Sequence, residues 1–284
     1  MLAHPLRYVV CDVFTDRALT GNQLAVFTDA RALDPATMQS LAREMNYSES
    51  TFVLPPQSGG HARIRIFTPR RELPFAGHPT LGSAWVIGSG VPHDELRLET
   101  GAGIIPIRLD RSGNGSVTFG WMTQPLPKVE PFADTELVLA ALGVPSSGLP
   151  VLAYDNGVKH VYVELKNREA VAALSPDLSR IAHLPVGVNA FAGAGAEWKT
   201  RMFAPGHGVS EDPATGSAAG PLALHLATHG RIAFGDTIRI EQGAELDRPS
   251  ILFARALGTP DHLERIEVGG TAVIVARGEF RNIG

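Results

Sequence analysis

An α+β fold built from two similar lobes is what this sequence predicts, and three observations predict it. Short apolar or alternating runs, bounded by Gly, Pro, Asp and Asn, outnumber helical patterns along the chain, which argues against an alternating βαβ sheet. Motifs of the first half return in the second half in the same order. Between the halves lies Gln124–Phe132 (QPLPKVEPF), with three prolines in nine residues. Such a stretch is extended and unsuited to a central strand, so the lobe boundary falls there. A length of 284 residues fits two domains at roughly 150 residues each.

In the first half the strand-like runs are Tyr8–Phe14, Gln23–Phe27, Thr51–Leu54, Ala62–Phe67, Leu96–Glu99, Ile104–Leu109 and Ser116–Phe119. Asp34-Pro35 reads as an N-cap followed by proline at the first helical position, opening a helix to about Met45. A second helix is expected from His78-Pro79 to about Gly88. In the second half a helix is expected over about 134–142, with strands at Leu152–Tyr154, His160–Leu165, Val188–Phe191 and Thr200–Phe203. A long helix from Pro213 to His229 stops at Gly230. Strands near Ile238–Glu241, Ile251–Arg255, Glu264–Val268 and Ala272–Arg277 complete the pattern.

The composition narrows the function classes. Apolar residues make up 44% and charged residues 19%, enough to fill a core and too apolar for global disorder. The formal net charge of -4, with no run of Lys or Arg and scattered aromatics, gives no nucleic-acid surface. No uncharged apolar stretch approaches the ~20 residues that span a bilayer, so no membrane role is expected. The N-terminal MLAHPLRYVVCDVF shows no charged region followed by an apolar one, and a cytoplasmic protein is the expectation. Cys11 is the single cysteine, which excludes an internal disulfide and a cysteine metal cluster. Within a strand, its default role is a buried thiol.

Three segments carry the repeat. Arg65-Ile-Phe-Thr-Pro69 matches Arg201-Met-Phe-Ala-Pro205, His78–Ala84 matches Asp212–Ala218, and Glu99-Thr-Gly-Ala102 echoes Glu241-Gln-Gly-Ala244. The middle match makes His78 and Asp212 equivalent helix caps, with Pro79 and Pro213 at the first helical position. The amide groups at such helix ends, with Gly82 or Gly216 for close approach and Ser83 or Ser217 as donors, suit a small carboxylate or an enolate. Ordinary capped helices of a duplicated fold would read the same way. Glu49, in Asn46-Tyr-Ser-Glu-Ser-Thr-Phe52, is a carboxylate among small hydroxyls bordered by Phe52 and Val53. Desolvation would raise its pKa toward the range of a group that takes and returns a proton. On the residues alone, a glutamate in a polar loop is more often a solvated one. Asn22, after Gly21, can orient a ligand or simply turn the chain. His225 and His229 have the i, i+4 spacing of metal ligands, yet no glutamate between them and no obvious third ligand, so an ordinary surface helix end is expected and no metal site. No dinucleotide or phosphate-loop motif is present.

Taken together, Gly21-Asn22-Gln-Leu-Ala-Val-Phe27, Ser48-Glu49-Ser-Thr-Phe-Val53, Ile66-Phe-Thr-Pro69, Leu73-Pro-Phe-Ala-Gly77-His78-Pro79 and Glu211-Asp212-Pro-Ala-Thr-Gly216-Ser217-Ala-Ala-Gly220 resemble the PhzF family of phenazine biosynthesis. The resemblance covers nearly the whole chain. It implies a diaminopimelate-epimerase-like fold with two pseudo-symmetric lobes, each a mixed sheet wrapped around a central helix. The lobes would be 1–125, to which strand 270–284 returns, and 126–269, with the active site between them. It implies a homodimer and no cofactor. The implied activity is isomerisation of trans-2,3-dihydro-3-hydroxyanthranilate to 6-amino-5-oxocyclohex-2-ene-1-carboxylate. Carried onto this chain, the catalytic residues are Glu49, His78 and Asp212, and the substrate-binding residues are Asn22, Gly77, Gly216 and Ser217. Action on another small amino or hydroxy acid, or non-catalytic binding of a small acid, are the other readings. Inversion by two thiols is ruled out, because one cysteine cannot supply the pair.

Overall fold

The computed structural model describes residues 5–283 and divides into two units, one comprising residues to Thr123 together with 269 onward, the other Gln124–Val268. Residues 1–4 of the lobe expected over 1–125, and residue 284 of the strand expected over 270–284, lie outside the described residues. In the first unit the strands are β1 (Leu6–Val13), β2 (Asn22–Phe27), β3 (Glu49–Leu54), β4 (Ala62–Phe67), β5 (Glu72–Leu73), β6 (Glu95–Thr100), β7 (Gly103–Arg111) and β8 (Val117–Gln124). β1 runs antiparallel to β2, β2 parallel to β3, β3 antiparallel to β4, β4 parallel to β6, and β6 antiparallel to β7. The C-terminal strand Ala272–Phe280 pairs antiparallel with β1.

Two helices cover opposite faces of this sheet. α1 (Pro35–Met45) is amphipathic: Met38, Leu41 and Ala42 are buried, and Asp34 caps it by accepting from Thr37 N at 2.7 Å. Its apolar stripe joins Ala25, Phe27, Phe52 and Phe67, where Phe27 and Phe52 stack at 4.6 Å. α2 (Gly77–Gly88, GHPTLGSAWVIG) has no polar face, and Gly77 through Trp85 are all buried. A helix apolar or small all round must be enclosed, so the sheet wraps it. A β-carbon added to Gly82 would come 2.6 Å from Leu24 Cδ2, which shows how close the sheet approaches.

The second unit repeats the plan. Its strands are β9 (Lys128–Pro131), β10 (Leu152–Asp155), β11 (Lys159–Glu164), β12 (Gly187–Ala194), β13 (Glu197–Ala204), β14 (Val209–Asp212), β15 (Ile238–Gln242), β16 (Ser250–Thr259) and β17 (His262–Gly270); the C-terminal strand is β18. β9 pairs with β10, β10 is antiparallel to β11, β11 parallel to β12, β12 antiparallel to β13, β13 parallel to β15, and β15 antiparallel to β16. Strand for strand this is the order of the first unit. α3 (Thr135–Leu142) and the short α4 (Arg168–Ala172) pack on the outer core of Val138, Val161, Val163, Val188 and Ala190. α5 (Gly216–Thr228) is buried from Gly216 to Ala227 and is the enclosed helix of this unit. The proline-rich stretch is extended as expected, and part of it, β9, pairs in the sheet. Among the described residues no helix is long and apolar enough to cross a membrane.

The registers correct one repeat equivalence. Ile66 pairs with Leu73 and Met202 with Asp212, and the enclosed helices begin four residues later, at Gly77 and Gly216. Leu73 is therefore the counterpart of Asp212, and His78 that of Ser217. Neither His78 nor Asp212 is a cap: Ala76 and Thr215 are, His78 is the second residue of α2, and Asp212 ends β14. The Arg65/Arg201 and Glu99/Glu241 matches agree with the strand registers.

Candidate active site

In the first unit three predicted residues come together. Gly21, at φ +70°, turns the chain where a β-carbon would meet Val13 O at 2.5 Å, and so delivers Asn22 to the start of β2. Parallel pairing of β2 with β3 sets Glu49, the first residue of β3, opposite Leu24. α2 brings His78 between them: His78 Nδ1 lies 3.2 Å from Asn22 Nδ2 and 3.5 Å from Glu49 Oε2. Burial pushes the His78 pKa down to about 3, with a hydrogen bond to the Gln23 backbone acting weakly the other way. The ring is thus neutral near pH 7, and its contact with Glu49 is not an ion pair. His78 Nε2 is buried with no hydrogen-bond partner among the described residues. The Glu49 side chain keeps 14% of its surface open while that of His78 keeps 4%. A carboxylate partly reachable from outside and braced by a neutral imidazole is suited to gaining and losing a proton. Gly77 is the buried first residue of the same helix. Behind it, Thr51 and Ser83 hydroxyls meet at 2.8 Å.

In the second unit Asp212, Gly216 and Ser217 cluster at the start of α5. Thr215 Oγ1 donates to Asp212 Oδ2 at 2.7 Å, and Gln242 Nε2 donates to the Asp212 carbonyl at 2.8 Å. Gln124 Nε2 donates to Gly216 O at 2.8 Å. Ser217 O would normally accept from the residue four positions on, but that is Pro221, which has no N–H. Asn156 Nδ2 fills the gap at 2.9 Å. Ser217 Oγ meets His160 Nε2 at 2.9 Å.

No sequence motif marks His160, Asn189, Asn156, Gln124 or Gln242, all buried polar residues around α5. A signal for His160 existed: in Lys159–Glu164 it alternates with valines and shares a face with Tyr162. Of the His225/His229 pair only His229, the half-buried C-cap of α5, is at a surface helix end as expected. His225 is fully buried because α5 is enclosed, and its Nδ1 lies 2.9 Å from the Tyr154 hydroxyl. No group of three or more His, Cys, Asp or Glu able to hold a metal occurs among the described residues. Cys11 is buried, and its thiol is pushed far above its usual range by desolvation.

Two units of one strand order, each enclosing a helix whose first turn gathers polar side chains, define the diaminopimelate-epimerase-like fold. The phenazine biosynthesis-like family model matches residues 11–278, and the chain belongs to that family. It is 50% identical over 272 residues to the trans-2,3-dihydro-3-hydroxyanthranilate isomerase of Pseudomonas fluorescens, covering 95% of this chain and 98% of the relative. Among solved structures, a Bacillus anthracis phenazine biosynthesis protein of the PhzF family is 26% identical with a TM-score of 0.83, covering 98% and 99%. A predicted epimerase from Pseudomonas aeruginosa is 34% identical with a TM-score of 0.81, covering 97% and 99%.

Proposed function

We propose that this chain isomerises trans-2,3-dihydro-3-hydroxyanthranilate to 6-amino-5-oxocyclohex-2-ene-1-carboxylate in phenazine biosynthesis. The observation that carries this is the 50% identity, over nearly all of both chains, to an isomerase of that substrate. Glu49 takes the proton from the ring carbon bearing the hydroxyl and returns it elsewhere on the same face of the conjugated system. The enol so formed relaxes to the ketone. The neutral His78, whose Nδ1 lies 3.5 Å from Glu49 Oε2, supports this role because it sets no full positive charge beside the carboxylate. One base serves a proton shuttle on one face, whereas inverting a stereocentre normally takes an acid and a base on opposite faces.

Asp212 is the further catalytic residue of this reading, with Asn22, Gly77, Gly216 and Ser217 as substrate contacts and the helix-end amides holding the carboxylate. No cofactor, a homodimer and a cytoplasmic setting belong to the same reading, supported by family membership. The test mixes the full chain with the substrate in deuterated buffer and follows the ring protons by NMR. Loss of the diene signals with the native protein, and inertness of Glu49→Gln, is the expected result. An inert native protein would sink the substrate, and an active Glu49→Gln would sink the base.

A further inference from the structure

We infer that His160 is a positioning residue for the reaction: Asn189 holds it as the tautomer protonated at Nε2, so it donates to Ser217 Oγ and leaves the serine proton for the substrate's carboxylate. The inference rests on Ser217 being a substrate contact and explains which way that hydroxyl points.

The direction follows from Asn189. Its Nδ2 donates to Gly187 O at 3.1 Å and to Val161 O at 3.2 Å, so two carbonyls fix which end of the amide faces them. Turning the amide over would set its oxygen against both. The same Nδ2 stands 3.4 Å from His160 Nδ1. The amide has two hydrogens for these three neighbours, so Nδ1 at best shares one with a carbonyl, but a proton on Nδ1 would point at an amide nitrogen that cannot accept it, and Nδ1 therefore carries none. His160 is 1% exposed, and burial, aided by the nearby His207, pushes its pKa down to about 3. A neutral ring with Nδ1 bare has its one proton on Nε2, which is 2.9 Å from Ser217 Oγ. His160 is the hydrogen-bond partner of that hydroxyl among the described residues. The serine oxygen accepts there, and its own proton is available to an anionic oxygen. Gly187 fixes the ring as well, since a β-carbon at 187 would come 2.6 Å from Nδ1.

A serine or cysteine, a histidine and a third residue make nucleophilic triads when that third residue's oxygen accepts from the ring and Nε2 takes the nucleophile's proton. Here the amide presents nitrogen instead. The ring is a donor to the serine, and Ser217 is not activated as a nucleophile.

The test uses the full chain labelled with 15N-histidine, together with His160→Gln, His160→Met and Ser217→Ala. The ring nitrogen shifts are expected to show Nδ1 bare and Nε2 protonated at pH 7. His160→Gln, which keeps an N–H donor at the same reach, is expected to hold KM for trans-2,3-dihydro-3-hydroxyanthranilate within about twofold. His160→Met, which fills the space without a donor, raises it about tenfold, and adds nothing further to Ser217→Ala. A fluorophosphonate leaves Ser217 unlabelled. A ring protonated at Nδ1, labelling of Ser217, or equal kinetics in the Gln and Met variants would overturn the inference while leaving the site reading intact. Native kinetics in Ser217→Ala would instead overturn the reading of Ser217 as a substrate contact.

Discussion

The two units share a strand order and an enclosed helix, yet they furnish equivalent positions with opposite chemistry. Glu49 opens β3 opposite Leu24, and at the same register Gly187 opens β12 opposite His160. In one unit the residue is a carboxylate and its neighbour apolar. In the other the residue has no side chain and its neighbour is a buried imidazole. A duplicated frame therefore does not imply a duplicated reaction. At this register one half offers a carboxylate, while the other offers a buried imidazole held against the helix end at Ser217.

The largest expected effect breaks that comparison outright. Glu49→Gln is expected to lower kcat by about 10³-fold, within the range ascribed to general acid–base groups, with little change in unfolding midpoint. Circular dichroism and denaturation alongside the NMR assay check it. A loss of activity matched by a loss of fold would mean that Glu49 is structural, as its counterpart position is in the other unit.

Acid sensitivity should also divide the units. His160 and His225 in the second unit and His78 in the first are each held neutral by burial, with pKa values of about 3 against 6.5 when unperturbed. Between those values the unfolded chain binds more protons than the folded one, so stability is full above about 6.5 and is lost as pH falls toward 3. Two such rings against one predict a steeper loss in the second unit. Hydrogen exchange from pH 7 to 4 is expected to show the amides of β11 and α5 losing protection ahead of those of β2 and α2. Equal loss in both units would count against the burial assigned to the second pair.

A smaller effect sharpens the same register comparison. Gly187→Ala is expected to cost about 1–3 kcal/mol, because its β-carbon would displace the His160 ring, whereas Glu49→Ala at the matching position costs less than about 1 kcal/mol. Urea midpoints of the two variants test this, and equal costs would show that His160 can move aside.

How much of this was legible in the sequence depends on what each feature requires. Strand runs and the duplication were readable because alternation and turn residues are local, and Arg65–Pro69 against Arg201–Pro205 keeps true register. The helix starts were not. An enclosed helix buries every side, so Gly, Ser and Ala recur along it, and the Gly-Ser-Ala of α2 was matched to the Gly-Ser-Ala that opens α5, five residues out of step. That slip made caps of His78 and Asp212. Glu49, His78 and Asn22 were each named, but their meeting depends on parallel pairing of β2 and β3, which has no local signature. His160 and Asn189 are hidden for the same reason: they sit on the parallel strands β11 and β12, whose neighbours Val161, Val163, Val188 and Ala190 read as plain core. The enclosed helix likewise turned His225 from an expected surface group into a fully buried one.

The last contrast lies in the prolines of the enclosed helices. Pro79 is the third residue of α2, where an N–H would have no partner within the helix, so it costs no hydrogen bond. Pro221 lies inside α5 and deprives Ser217 O of its partner, which Asn156 replaces. Asn156→Ala is therefore expected to cost about 1 kcal/mol by orphaning that carbonyl, the low end of the range because Asn156 Oδ1 itself has no partner among the described residues. In a Pro221→Ala background the new N–H at 221 can bond Ser217 O, and the same Asn156 substitution should cost measurably less. Unfolding midpoints around this double-mutant cycle decide the matter. A cost unchanged by the background would mean that Asn156 acts through some contact other than the Ser217 carbonyl.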